Sequence, residues 1–165
     1  MLVIFSGLPA VGKSAIAREL ARQIGAVYLR VDTIEQTMRD WMPEREISRE
    51  GYEVMYALAA ENLSLGLRVI ADSVNPVELT RATWRSVAAK QNAPYVEIEV
   101  KCSDRVAHRQ RAENRASDIP GLRLPTWAEI MAGNYHPWTR DRLIIDTAVL
   151  SVQEAVKKIR GALAG

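Results

Sequence analysis

Residues 7–14 read Gly-Leu-Pro-Ala-Val-Gly-Lys-Ser and lie near the start of a chain of 165 residues. An apolar run, Leu2–Ser6, precedes them, and a stretch with helical periodicity follows. The spacing is G-x-x-x-x-G-K-[ST], in which the glycines let the backbone turn several N–H groups toward one phosphate. A chance glycine turn between a strand and a helix is the alternative. The pattern therefore predicts a phosphate-binding loop.

Each residue of this loop has a predicted contact with a nucleotide. A Cβ atom at Gly7 or Gly12 is expected to obstruct the path of the loop. The helix that begins near Lys13 adds its positive N-terminus, and the lysine reaches the terminal phosphates, so we assign it a catalytic role as well. The Ser14 hydroxyl is a predicted ligand of Mg²⁺. The predicted nucleotide-binding residues of the loop are Gly7, Leu8, Pro9, Ala10, Val11, Gly12, Lys13 and Ser14.

The composition indicates one ordinary globular domain, residues 1–165. Hydrophobic residues make up 48% and charged residues 25%, and the net charge of +2 is too small to argue for nucleic-acid binding by itself. The single cysteine excludes an internal disulfide framework. No apolar run approaches the ~20 residues of a membrane span, and the first apolar run lacks the basic flank of a signal peptide. We expect a cytoplasmic monomer or homodimer without a membrane partner.

Short apolar runs alternate with longer amphipathic stretches along the whole chain. In the first amphipathic stretch Ile16, Leu20 and Ile24 recur every four residues, which is typical of a helix. Strands that alternate with helices predict right-handed crossovers and a parallel sheet covered on both faces. We therefore predict a three-layer α/β domain with five strands. The predicted strands are Leu2–Ser6, Val27–Val31, Leu67–Ala71, Tyr95–Val100 and Leu143–Ile145.

Capping residues mark three predicted helix starts. Asn75 is followed by Pro76 and then by a glutamate, in the order of an N-cap, a first helical residue and a returning carboxylate. Thr126 and Ser151 are each followed three residues later by glutamate, which is the spacing of a capping box.

Polar residues at the predicted strand ends are the candidates for chemistry, since ligands bind at the carboxyl ends of parallel strands. Asp32 is placed to accept a proton from an attacking hydroxyl, but it also starts the capping-box sequence Asp32-Thr33-Ile34-Glu35. Asp72 is a candidate Mg²⁺ ligand, with substrate orientation or a simple turn as alternatives. Thr147 follows the last strand and is assigned to the nucleotide, with a turn as the alternative.

A basic stretch runs from Cys102 to Arg115. It contains Arg105 and Arg109 four residues apart, and likewise Arg111 and Arg115. Phosphoryl transfer develops negative charge that arginines stabilise, so we predict a lid over residues 103–125 with Arg111 and Arg115 as its catalytic residues. A solvated helix is the alternative. Three nearby aromatic residues either shape an acceptor pocket or pack the base of the lid against the core, and these are Trp127, Tyr135 and Trp138.

Six motifs together resemble the P-loop kinases that act on small molecules and polynucleotides. They are G-L-P-A-V-G-K-S, L-R-V-D-T-I, V-I-A-D-S-V-N-P, R-Q-R-A-E-N-R, P-T-W and L-I-I-D-T. The group includes chloramphenicol phosphotransferase, gluconate kinase, zeta-toxin-like kinases and polynucleotide kinase domains, and also short bacterial proteins described as AAA-family ATPases. The resemblance implies a strand order of 2-3-1-4-5, ATP with Mg²⁺, Asp32 as the general base, and Arg111 and Arg115 as lid arginines.

The expected reaction is transfer of the γ-phosphate of ATP to a hydroxyl group of a small molecule. A polynucleotide 5′-hydroxyl kinase and a non-catalytic ATP-binding switch are the alternatives. In polynucleotide kinases an arginine often follows the base by a few residues, whereas here Arg39 comes a full turn later than expected. No motif identifies the acceptor or distinguishes ATP from GTP.

Overall fold

The structure is a computed structural model, and it describes residues 1–164. One five-stranded parallel sheet runs through the molecule in the order β2-β3-β1-β4-β5, as the resemblance implies. In residues 1–164 no helix combines the length and the apolar character needed to cross a membrane. The strands are β1 (Leu2–Ser6), β2 (Val27–Arg30), β3 (Val69–Asp72), β4 (Tyr95–Lys101) and β5 (Leu143–Asp146).

Helices cover both faces of this sheet, and two more lie between β4 and β5 where the lid is predicted. The helices are α1 (Lys13–Ile24), α2 (Val31–Trp41), α3 (Glu50–Ser64), α4 (Glu78–Lys90), α5 (Arg105–Asn114), α6 (Trp127–Ala132) and α7 (Val152–Ala164). The three-layer α/β prediction is therefore confirmed.

The central strand β1 explains why the sheet is covered on both sides. Its side chains alternate between two apolar clusters, with Val3 and Phe5 in one and Leu2 and Ile4 in the other. The first cluster contains residues of α1 and α7, and the second contains residues of α3 and α4. Because every residue of β1 is buried, the loop that follows it starts from a fixed point.

Two capping boxes form as the sequence predicts, and one predicted cap does not. The Thr126 hydroxyl accepts from the backbone of Glu129, and Ser151 and Glu154 make the equivalent exchange. Asn75 is not a cap: α4 starts at Glu78, and Val77 at its N-cap makes no side-chain hydrogen bond there. The Asn75 side chain instead donates to Phe5 O at 2.9 Å and accepts from Trp84 Nε1 at 3.0 Å.

The junction of β2 and α2 differs from the prediction in a way that matters for the site. Val31, predicted to end the strand, is the first residue of the helix, and Arg30 is the N-cap. Asp32 lies inside the first turn and makes no capping hydrogen bond, so its capping interpretation is wrong. Because the strand passes into the helix without a loop, Asp32 is held close to the carboxyl edge of the sheet.

Candidate active site

The loop between β1 and α1 has a backbone that few residues other than glycine adopt. Gly7 has φ 135°, Ala10 φ 66° and Gly12 φ 96°. A Cβ atom on Gly7 would lie 2.1 Å from the carbonyl oxygen of Val100 in β4. The requirement for glycine here therefore comes from close packing against the neighbouring strand as well as from the path of the loop.

Lys13 is buried at the start of α1. Its Nζ donates to the Leu8 carbonyl oxygen at 2.8 Å. Loss of hydration on burial lowers the pKa of Lys13 to about 8, and the charges of Asp72 and Asp32 oppose that shift. A cation in this state gains stability from an added anion, which is what a phosphate-binding lysine requires.

A cavity of about 400 Å³ opens beside this loop, and most of the predicted site residues line it. The predicted residues that line it are Pro9, Ala10, Gly12, Lys13, Ser14, Asp32, Asp72, Arg111 and Arg115. Gly7, Leu8, Val11 and Thr147 do not line it. Four separate parts of the chain thus meet at the carboxyl edge of the sheet, where the strand topology predicts a ligand.

The two predicted acidic residues have different surroundings within this cavity. Asp72 is 2% exposed and accepts a hydrogen bond of 2.6 Å from the Tyr28 hydroxyl. Burial, followed by the charge of Asp72, raises the pKa of Tyr28, so this tyrosine stays protonated and remains a donor. The side chain of Asp32 is 44% exposed, and its Oδ2 lies 3.4 Å from Arg30 Nε. Asp72 is therefore fixed, whereas Asp32 is open to an incoming group.

The oxygen atoms around Lys13 fit a nucleotide-bound Mg²⁺ ion. Ser14 and Asp72 line the same cavity, and hydroxyl and carboxylate oxygens are the ligands that Mg²⁺ prefers. Among residues 1–164 no group of three or more His, Cys, Asp or Glu side chains is placed to hold a metal by itself. A metal here would depend on nucleotide phosphates for its remaining ligands.

The two arginines of the predicted lid have different partners. Arg111, in the last turn of α5, donates to Thr147 Oγ1 at 2.8 Å and to Thr147 O at 3.0 Å. The same threonine hydroxyl donates to the Val11 carbonyl oxygen at 2.8 Å, so it connects the lid helix to the glycine loop. Arg115 lies just after α5 in extended backbone, and its buried Nε and Nη2 have no hydrogen-bond partner. Arg115 itself lines the cavity, and its two unpaired nitrogens keep their hydrogen-bonding capacity for an anion that reaches them.

His108 gives α5 a second attachment to the loop. Its Nε2 lies 2.8 Å from the Pro9 carbonyl oxygen, and its ring packs edge-on against Trp127 with the centroids 5.0 Å apart. Neither Arg105 nor Arg109 lines the cavity, and Arg109 instead pairs with Glu113 at 2.8 Å. The basic stretch therefore combines attachment residues, cavity residues and solvated residues.

Of the three aromatic residues near the lid, none lines the cavity. Tyr135 and Trp138 stack near the buried guanidinium of Arg81, with Arg81 Cζ 5.1 Å and 4.1 Å from the two ring centroids. Trp127 packs against His108. Packing against the core, rather than an acceptor pocket, is therefore the interpretation that the structure supports.

Sequence reasoning missed three charged residues that lie together in the cavity: Arg18, Arg30 and Asp118. Arg18 follows Ser14 by one helical turn, and its Nε donates to the Ser14 carbonyl oxygen at 3.3 Å. That spacing could have placed Arg18 on the cavity face. Asp118 had no local signal because both of its partners are distant in sequence.

The fold and the site together define a P-loop kinase fold, with α5 and α6 between β4 and β5. The family described as "AAA domain" matches residues 2–133, and the chain belongs to this family. Kti12 of Chaetomium thermophilum, solved with ADP-AlF3, is similar over 100% of both chains at a TM-score of 0.70 and 22% identity. APS kinase of Mycobacterium tuberculosis, solved with AMPPNP and APS, is similar over 99% of this chain and 97% of its own, with a TM-score of 0.68 and 20% identity. A gluconokinase of Sinorhizobium meliloti is similar over 98% of this chain and 90% of its own, with a TM-score of 0.67 and 17% identity.

Proposed function

We propose that this protein is a kinase that transfers the γ-phosphate of ATP to a hydroxyl group of a small molecule. The observation that carries the proposal is that Lys13, Asp32 and Asp72 line one cavity. A cavity of about 400 Å³ is in the usual size range for small ligands. The similar structures that contain AMPPNP or ADP-AlF3 support a nucleotide as one ligand. The single cysteine is in keeping with a cytoplasmic location.

The residues around the glycine loop would bind the triphosphate. Backbone N–H groups of residues 7–14 and the Lys13 ammonium would hold the β- and γ-phosphates, and Arg111 and Arg115 would contact them from the lid. Thr147 would support this arrangement through its contacts with Arg111 and Val11. Ser14 and Asp72 would hold Mg²⁺, which when bound neutralises negative charge on the phosphates.

Asp32 would act as the general base. Its carboxylate would accept the proton of the acceptor hydroxyl while that oxygen forms a bond to the γ-phosphorus. The bond between the γ-phosphorus and the β–γ bridging oxygen would break at the same time, leaving ADP and a phosphate ester. The unpaired nitrogens of Arg115 would stabilise the charge that spreads over the transferred group.

The substitution Asp32→Asn tests this role. It should leave ATP affinity nearly unchanged and lower the transfer rate by ~10²–10⁴-fold, because the variant cannot accept the hydroxyl proton. Asp40→Asn is the matched control, since Asp40 lies on the same helix and outside the cavity. Calorimetry would measure ATP binding, and labelled ATP would measure transfer to a panel of hydroxyl metabolites, antibiotics and 5′-hydroxyl oligonucleotides.

Three outcomes of that experiment would contradict the proposal. Failure of the chain to bind ATP in the presence of Mg²⁺ would remove the kinase function altogether. Tight binding without transfer to any acceptor would favour the switch. Transfer to oligonucleotides alone would favour the polynucleotide kinase, although Arg39 already pairs with Glu35 at 2.9 Å.

A further inference from the structure

A carboxylate of the lid loop lies inside the cavity and binds two arginines from other parts of the chain. Asp118 Oδ2 is 2.5 Å from Arg18 Nη1. Arg30 Nη1 donates to Asp118 Oδ1 at 2.9 Å and to Oδ2 at 3.0 Å. The bond to Arg30, followed by the surrounding charges, holds the pKa of Asp118 below its ordinary value. Asp118 is therefore present as an anion held between two guanidinium groups.

Arg30 connects this anion to the proposed base. Its Nη1 binds Asp118, while its Nε lies 3.4 Å from Asp32 Oδ2. The side chain of Arg30 is only 11% exposed. An anionic group in the place of Asp118 would thus be separated from Asp32 by a single guanidinium group. A hydroxyl only a few bonds away on the same molecule could then reach the Asp32 carboxylate.

The charge balance of the cavity also favours an anion at this place. Six cationic residues line it, against the three acidic residues Asp32, Asp72 and Asp118. Lys13, Arg111 and Arg115 face the proposed triphosphate, and Arg123 pairs with Glu129 at 2.6 Å. Arg18 and Arg30 remain: both bind Asp118, and Arg30 also lies 3.4 Å from Asp32 Oδ2. A mostly buried guanidinium that loses its counter-ion is costly, so displacement of Asp118 requires a replacement anion. The six cationic residues are Lys13, Arg18, Arg30, Arg111, Arg115 and Arg123.

We propose that the phosphate acceptor is a small alcohol with a carboxylate or phosphate group near its reacting hydroxyl, and that Arg18 and Arg30 bind this group where Asp118 now lies. The proposal rests on the kinase function proposed above. Asp118 then serves as an internal substitute for the acceptor's anionic group. A neutral alcohol cannot replace Asp118, and it is therefore a poor acceptor.

Binding of inorganic sulfate tests the anion site without catalysis. Sulfate would be titrated by calorimetry into protein saturated with Mg²⁺ and AMPPNP, so that the glycine loop is already occupied. Because removing the competing carboxylate frees the two arginines, Asp118→Asn should bind sulfate ~10-fold more tightly than the wild type. Arg30→Gln and Arg18→Gln should bind it ~10-fold more weakly than the wild type. Asp141→Asn and Arg109→Gln, both exposed and outside the cavity, are the matched controls.

Paired acceptors test the substrate class. The pairs are gluconate and glucitol, glycerate and glycerol, and thymidine 3′-phosphate and thymidine. The anionic member of at least one pair should be the better acceptor, and the pair that responds distinguishes a carboxylate from a phosphate. Arg30→Gln should raise the KM for that anionic member ~10-fold and change kcat much less, since the lost contact holds the ground state and the transition state alike.

Several results would overturn the proposal. The first is that the wild type, Asp118→Asn and Arg30→Gln bind sulfate with equal affinity. The second is equal transfer to the charged and neutral members of every pair. The third is that Asp118→Asn loses activity equally toward all acceptors. The last result would mean that Asp118 only holds the lid. If AMPPNP does not bind, the proposed kinase function fails. The sulfate titrations would then be repeated without nucleotide in proteins that carry Lys13→Ala, and they would show by themselves whether Arg18 and Arg30 form an anion site.

Discussion

The two halves of the cavity are built by different means. The loop half, residues 7–14, is shaped by backbone: three residues have positive φ, and Gly7 packs against the carbonyl oxygen of Val100. The other half, called the lid half here, consists of Asp118 of the predicted lid together with Arg18 and Arg30. It is held by the charges of these side chains, with Asp118 between the two arginines. The exposed fractions of the Asp118 and Arg18 side chains are 44% and 50%.

This difference determines which half of the cavity can exchange one binding partner for another. Backbone geometry that packs against a strand cannot be rearranged without disturbing the sheet. A carboxylate between arginines can be replaced by another anion of similar charge with little other change. We therefore expect substitutions in the loop half to affect stability and nucleotide binding, and substitutions in the lid half to affect the choice of acceptor.

The largest expected effect is on stability and comes from Gly7→Ala. The new Cβ would lie 2.1 Å from the Val100 carbonyl oxygen at a φ of +135°, so β1 and β4 would have to separate. The free energy of unfolding should fall by at least ~3 kcal/mol, measured by urea denaturation. Gly25→Ala is the control: it also has positive φ but meets no atom within 4 Å, and should cost about 1–2 kcal/mol. Equal costs would show that the strand contact is unimportant.

The pH dependence of nucleotide binding is the next largest effect. Burial lowers the pKa of Lys13 to about 8, and a bound triphosphate raises it again. The complex therefore holds more protons than the free protein at pH values above about 8. In this range the association constant of AMPPNP should fall as pH rises, by up to ~10-fold per pH unit. Calorimetry between pH 7.5 and 9.5 would measure it, and the same slope in Lys13→Ala would assign the proton elsewhere.

A smaller effect is expected from Thr147→Val, which removes the hydroxyl between Arg111 and Val11. Transfer should fall ~5–10-fold with little loss of stability, since the bond from the charged Arg111 and the bond to the neutral Val11 carbonyl oxygen are lost. Thr83→Val is the control, because its hydroxyl donates to the Leu79 carbonyl oxygen and Thr83 does not line the cavity. Steady-state kinetics would show the change, and unaltered kinetics would remove Thr147 from the site.

The smallest effect is expected from Arg109→Ala. Arg109 pairs with Glu113 on the exposed face of α5 and does not line the cavity. An exposed helical ion pair contributes only ~0.3–0.5 kcal/mol, so transfer should change by less than ~2-fold. A loss as large as that of Arg111→Ala would place the whole basic stretch in the site.

The fold and the loop half could be predicted because both depend on patterns of residues that are close together in the sequence. Apolar runs separated by helical periods define the strands, and the glycine motif lies directly between a strand and a helix. Thr126 and Ser151 act as the capping boxes that their spacing predicts because both partners of each box lie within one turn. Local spacing was sufficient wherever the physical contact was itself local.

The lid half could not be predicted, because its contacts join distant parts of the chain. Asp118 lies 100 residues from Arg18 and 88 from Arg30 in sequence. Asn75 has the local pattern of a cap, but its amide is used in contacts with Phe5 and Trp84 across the domain. Asp32 has a capping sequence too, but β2 continues straight into α2, so the N-cap position falls on Arg30 and Asp32 lies inside the first turn. In each case tertiary packing decided between interpretations that the sequence left open.

The attachment of α5 to the glycine loop determines which part of the connection between β4 and β5 can bend. His108 contacts Pro9, and Arg111 reaches Val11 through Thr147, so the body of this helix is coupled to the nucleotide side. At the other end of the segment that joins α5 to α6, the Thr126 capping box fixes the start of α6. Residues 115–125 are therefore the part of the β4–β5 connection that lies between these two attachments, and motions of such loops take ~ns–μs. Under the proposed kinase function, ADP should therefore leave at the rate at which its own phosphate contacts break, without a slow domain rearrangement.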